Sequence, residues 1–98
     1  MDTSVVDYLT SNFNSVKQFT TQTNTHYITG EIHGYEYMIS IQKFYIITKR
    51  VDNKALYVSI CDNDTQVIDI LNKIKNKENI VPNEKAKLIS SITGISTI

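Results

Sequence analysis

A chain of 98 residues with 41% apolar content can build one small core with little to spare, so residues 1–98 are expected to form a single domain. Ten basic residues balance ten acidic ones, and the balance is local, at −1 over residues 1–26, +1 over 27–61 and zero over 62–98; nothing here attracts a polyanion at long range. A single cysteine, no basic leader at Met1-Asp2-Thr3-Ser4 and no long apolar run argue for a cytoplasmic protein without disulfides or a membrane span.

Val5, Val6, Leu9, Phe13 and Val16 recur at spacings of three and four, which predicts a helix from Ser4 to Lys17 with these residues on one stripe. Ser4 followed by Asp7 resembles a capping box at its start. Thr20 to Thr25 carries no helical stripe and is expected to be linker or frayed strand.

From His26 to Cys61 the alternation of apolar and polar residues predicts four short strands joined by three tight turns. His33-Gly34 forms a two-residue hairpin loop, pairing Ile32 with Tyr35 and Ile28 with Ile39. Gln42-Lys43 is expected to form the second loop, pairing Ile41 with Phe44 and Ile39 with Ile46. A third loop of three residues, Asp52-Asn53-Lys54, then places Val51 beside Ala55 and Ile46 beside Ile60. That choice gathers Ile28, Ile32, Tyr37, Ile39, Ile41, Phe44, Ile46, Leu56, Val58 and Ile60 on one core face, whereas a one-residue slip would reverse the last strand.

The opposite face then carries Tyr27, Met38, Tyr45, Ile47, Lys49 and Tyr57, with Lys49 opposite Glu36. Beyond the sheet, Asp62-Asn63-Asp64-Thr65 caps a second helix whose stripe is Val67, Ile68, Leu71 and Ile74 and which ends near Lys77. Pro82, Asn83 and Glu84 open a third helix with Leu88, Ile89 and Ile92 on its stripe and Gly94 at its end. The expected fold class is α+β, a two-layer sandwich of an N-terminal helix, a four-stranded antiparallel meander of order 1-2-3-4 and two C-terminal helices, all covering the isoleucine face.

Motifs for chemistry are weak. Asp62, Asp64 and Asp69 start like a calcium loop, but no glycine stands at the sixth position and Lys73 stands at the twelfth, where a glutamate is needed. His33 and His26 lie at opposite ends of one strand, too far apart for one ion, and His26 and Cys61 are assigned to opposite faces. Glu31 and Glu36 should be neighbours across the first hairpin, yet beside Lys49 they read as a solvated charge cluster. No glycine-rich phosphate loop is present. No catalytic residue, metal or cofactor is therefore assigned.

The remaining feature is the tyrosine-rich face. Tyrosine and methionine are enriched at interface cores, so Tyr27, Met38, Tyr45, Ile47, Lys49 and Tyr57 are expected to bind a protein partner or a second copy as a homodimer. Size, neutrality and an AT-rich coding bias suit an accessory protein of a phage or other mobile element that binds or inhibits a host protein. The alternative is a sheet-based binder of single-stranded nucleic acid, with the tyrosines stacking on bases; the missing basic charge argues against it.

Overall fold

The computed structural model describes residues 4–98. The absence of a leader inferred from Met1 to Ser4 concerns residues 1–3, which lie outside them. The described chain runs α1 (Ser4–Asn12), β1 (Asn14–Thr20), β2 (His26–Ile32), β3 (Tyr35–Ile41), β4 (Tyr45–Val51), β5 (Lys54–Cys61), α2 (Asp64–Lys75) and α3 (Glu84–Thr93). It is an α+β fold whose antiparallel sheet has five strands in the order β1-β2-β3-β4-β5, not four.

The additional strand comes from the region assigned to the end of the first helix. α1 stops at Asn12, whose side-chain amide donates to the Tyr8 carbonyl at 2.8 Å, and the chain reverses through Ser15 at φ 54°. Lys17 to Thr20 then pair with β2, Lys17 opposite Thr29 and Phe19 opposite Tyr27, after a bulge between Asn14 and Lys17. Valine, phenylalanine and threonine favour extended backbone, and spacings of three along a bulged strand resemble a helical stripe. Gly30 makes the crossing possible, because a Cβ there would lie 3.2 Å from the Cβ of Phe13.

The first hairpin forms as expected, with Ile28 opposite Ile39 and Ile32 opposite Tyr35, around His33 and Gly34, both at positive φ. The second loop holds three residues rather than two. Gln42 N donates to Phe44 O at 3.2 Å, so Ile41 faces Tyr45 and Ile39 faces Ile47. The third loop holds two residues, Asp52 and Asn53, at φ 51° and 65°, the type I′ geometry that matches strand twist. A bulge between Ile47 and Thr48 restores the pairing of Ile46 with Ile60.

This one-residue slip turns β4 over. Ile47 lies in the main core with Ile28, Ile39 and Val58, packed against Val5 and Leu9 of α1 and Val67, Leu71 and Ile74 of α2. Ile46 points to the opposite face and joins Tyr57 and Ile60 against Ala86 and Ile89 of α3. The helices therefore cover both faces, α1 and α2 one and α3 the other, in three layers rather than two. Phe44, assigned to the core, is an exposed loop residue.

Two devices fix α3 on β5. Asn83 caps the helix by accepting from Ala86 N, and it also accepts from Ile60 N at 3.2 Å and donates to Ile60 O at 2.6 Å. One turn past Gly94, at φ 78°, the tail bonds Tyr57 on both sides, Tyr57 N to Ser96 O at 2.9 Å and Ile98 N to Tyr57 O at 3.0 Å. The outer edge of β5 is thus satisfied by a side chain and a short parallel segment, which blunts it against further pairing.

Candidate functional site

Because α3 lies over β5 and the neighbouring part of β4, no helix among the described residues covers the rest of that sheet face. Its cross-sheet rows follow from the pairing. One row runs Phe19, Tyr27, Ser40, Ile46, Ile60, and the next Lys17, Thr29, Met38, Thr48, Tyr57. Ile60 and Tyr57 are under α3; the remaining residues of both rows form a floor.

The floor is uncharged at its centre, where Tyr27, Met38 and Ile46 lie among the hydroxyls of Thr29, Ser40 and Thr48. Phe19 and Tyr27 stack across β1 and β2 with ring centroids 5.0 Å apart and 19° between planes, and Phe19 is 50% exposed. Tyr27, Met38, Ser40, Ile46 and Thr48 are half-buried. Charge sits at the margin, where Lys17 lies on the edge strand and Glu31 faces Glu36, with Arg50 following on β4. Toward the β3–β4 loop the floor deepens into a cavity of about 510 Å³ lined by Thr25, Ser40, Gln42, Phe44 and Ile46, closed on one side by the Gln42 Nε2 to Thr25 Oγ1 hydrogen bond at 2.7 Å.

α3 forms a wall beside this floor. Lys85 pairs with Asp62 and lies 4.6 Å above the Phe44 ring, which fixes the Lys85 flank of the helix toward β4. Ile92, two turns on, shares that flank, and Leu88 stands next to it on the outer surface. Leu88 is 61% and Ile92 71% exposed, while Ala86 and Ile89 on the inner side pack against the sheet. The arc opposite Ala86 and Ile89 carries Glu84, Lys87 and Ser91, with Lys87 and Glu84 paired at 3.6 Å.

The six residues singled out from the sequence are not brought together. Tyr27 and Met38 belong to the floor. Tyr57 is on the same face but buried at 8% exposure beneath α3. Ile47, with 0% exposure, is core on the other face, and Tyr45 and Lys49 share that other face with it. Lys49 pairs with Tyr37, not Glu36, and its Nζ lies 3.8 Å over the Tyr35 ring. There it borders a cavity of about 560 Å³ lined also by His33, Tyr37, Ile74 and Ile80. Burial raises the Tyr37 hydroxyl above the ordinary tyrosine range, and Tyr35 adds to the effect.

Phe19, Leu88 and Ile92 are the site residues that reading by element missed. Leu88 and Ile92 had been placed on the inward stripe of the third helix; the signal against that was Ala86, the small residue that permits close approach to β5. For Phe19 the signal was the aromatic and β-branched content of Val16 to Thr21.

The other candidate chemistry has structural occupations. Asn63 caps α2 by accepting from Gln66 N at 3.0 Å, Asp64 accepts from Ser4 Oγ at 3.4 Å, and Asp69 pairs with Lys73 at 3.5 Å. His33 Nε2 lies 3.0 Å from the Lys75 carbonyl. His26 and Cys61 are on one face after all, in the row His26, Ile41, Tyr45, Cys61, but three strand spacings, about 14 Å, separate them. Among the described residues no group of three or more His, Cys, Asp and Glu side chains is placed to hold a metal ion, and no helix is long and apolar enough to cross a membrane. Cys61 is buried, and desolvation raises its thiol pKa. Comparison of the chain with protein-family models, curated proteins and solved structures finds no match.

Proposed function

We propose that this protein is a non-catalytic protein-binding module whose contact surface is the uncovered sheet floor and the flank of α3 that carries Leu88 and Ile92. The observation that carries the reading is the exposure of Leu88, Ile92 and Phe19 on the one side of the sheet that α3 only partly covers. An uncharged centre containing aromatic, hydroxyl and methionine side chains, rimmed by Lys17, Glu31, Glu36 and Arg50, has the charge-depleted core and polar rim of an interface. In this role the protein binds or inhibits another protein, the mode of action expected of a small accessory protein of a phage or mobile element.

Parallel affinity capture from cell extract with wild type, Phe19→Glu and Leu88→Glu tests the reading. A protein retained by wild type and lost by both variants, with unfolding temperatures unchanged, supports it; capture indifferent to both variants overturns it. Retention of a single-stranded oligonucleotide at low salt that is lost in Phe19→Ala would instead favour base stacking on the floor. The rim charges cancel, so such binding would lack its usual electrostatic drive.

A further inference from the structure

We infer that the cleft between β3, β4 and the connection from α2 to α3 binds a small organic monocarboxylate. The Tyr37 hydroxyl and the Lys49 ammonium hold its carboxylate, and Val58, Ile74 and Ile80 hold its apolar body. The site is on the α1 and α2 face of the sheet, away from the protein-contact surface, and does not depend on that reading.

The cleft lies where α2 has ended and the chain has not yet reached α3. His33 Nε2 lies 3.0 Å from the Lys75 carbonyl, which ties the first hairpin to the end of α2. The turn that follows is closed by Lys77 N to Ile74 O at 3.1 Å and Glu78 N to Lys73 O at 2.9 Å. These bonds fix the walls, so the cavity of about 560 Å³ is formed before a ligand arrives. Ordinary ligand pockets span ~300–1,000 Å³.

The polar groups of the cleft lack partners. Tyr37 is 7% exposed, and its ring is held edge-on to Phe13 with centroids 6.1 Å apart. Its hydroxyl has no hydrogen-bond partner among the described residues and is not shut off from solvent, so it opens into the cavity that the residue lines. A phenol largely removed from water without a partner carries a desolvation cost that a ligand acceptor recovers. Burial also holds this hydroxyl protonated, and therefore a donor.

Lys49 stands directly opposite Tyr37 on β4, with its Nζ steadied 3.8 Å over the Tyr35 ring. Among the described residues neither Lys49 nor Lys77, which lines the cleft from the connection, is in an ion pair. Side chains opposite one another on paired strands have Cβ atoms about 5 Å apart, so the hydroxyl and the ammonium can donate to the two oxygens of one carboxylate.

Charge limits the ligand to a monoanion. Lys49 and Lys77 are positive, Glu78 in the same lining is negative, and the C-terminal end of α2 adds a partial negative charge. A dianion such as phosphate meets that opposition twice over. Val58, Ile74 and Ile80 offer no polar partner, which suits a ligand whose remainder is hydrocarbon.

Titration of nitrogen-15-labelled protein with benzoate, read from amide chemical shifts, tests the site, with benzyl alcohol and phenyl phosphate as comparison probes. Tyr37→Phe and Lys49→Met break no hydrogen bond or ion pair and should keep the wild-type unfolding temperature. Benzoate is expected to saturate wild type in about the millimolar range, moving the amides of Tyr35, Tyr37, Lys49 and residues 77–80. Each variant should lose about tenfold in affinity, and the two comparison probes should bind more weakly than benzoate. Absence of saturation, shifts centred elsewhere, an affinity unchanged in either folded variant, or benzyl alcohol binding as tightly as benzoate overturns the site. Preference for phenyl phosphate overturns the monoanion assignment. Should a variant unfold, the wild-type shift map and the order of the three probes still decide.

Discussion

The two faces of the sheet are both lined with large apolar residues, yet one is closed and the other half closed. Under α1 and α2 the row of Ile28, Ile39 and Ile47 is fully shut away. On the opposite face burial stops after Tyr57, Ile60 and Ile46, where α3 ends sideways. The difference lies in the number of helices for a given sheet width. One helix about 10 Å wide covers about two strands at 4.8 Å spacing, so a pair nearly spans five strands and a single helix leaves the rest. β5, an edge strand by order, is consequently the most enclosed strand, with five consecutive residues from Tyr57 to Cys61 buried, and β1 at the other edge is the most exposed.

Substitutions on the two faces should separate this comparison by size. Ile47→Ala removes side-chain volume from the closed face and is expected to lower stability by about 2–5 kcal/mol, with Ile47→Glu unfolded; urea denaturation measures the first, and a folded Ile47→Glu would invert the face assignment. Ile60→Ala, under α3, should cost about 2 kcal/mol, less because its cluster is smaller and can relax. Asn83→Ala removes the α3 cap and leaves the Ile60 backbone without its side-chain partner, for a loss of about 1–2 kcal/mol and faster amide exchange at Ile60 than elsewhere in β5. On the open floor, Met38→Ala should stay within about 0.5–1 kcal/mol, since the side chain is only half-buried; a larger loss would show that something covers the floor.

The smallest effect concerns Cys61 and pH. Its thiol is held neutral by burial in the folded chain, so the unfolded chain ionises first as pH rises. Stability is therefore complete below the ordinary thiol pKa of about 8.5 and declines above it. Tyr8 and Tyr37, also raised by burial, extend the decline beyond the ordinary tyrosine pKa of about 10. Cys61→Ser should remove the earlier part of that alkaline loss, and thiol-reagent labelling of the native protein should be slow throughout.

Local chemistry was legible wherever a residue dictates its own backbone. His33-Gly34 announced a hairpin, Asn63 and Asn83 lie in the cap segments read for α2 and α3, and Gly94 took the left-handed position that ends α3. The Ile28 to Ile39 and Ile46 to Ile60 pairings were also read correctly. The continuous run from Leu56 to Cys61 carried a further signal, because a strand enclosed on both faces loses its alternation.

The sequence by itself determined the order of α1, the strands from His26 to Cys61, α2 and α3, because caps, turns and hydrophobic period act within a few residues. Only the tertiary structure decided the face of β4, the strand at Asn14–Thr20 and the side taken by α3. A loop of two or three residues at Gln42 differs little in local energy, and the choice is made by burial of Ile47 beneath α1 and α2. Val16 to Thr20 becomes a strand because β2 offers an edge to pair with, and α3 crosses to the second face because Asn83 and the tail find their partners on the outer edge of β5. Those partners are dozens of residues away in the chain, so their free energy exists only once the sheet has formed.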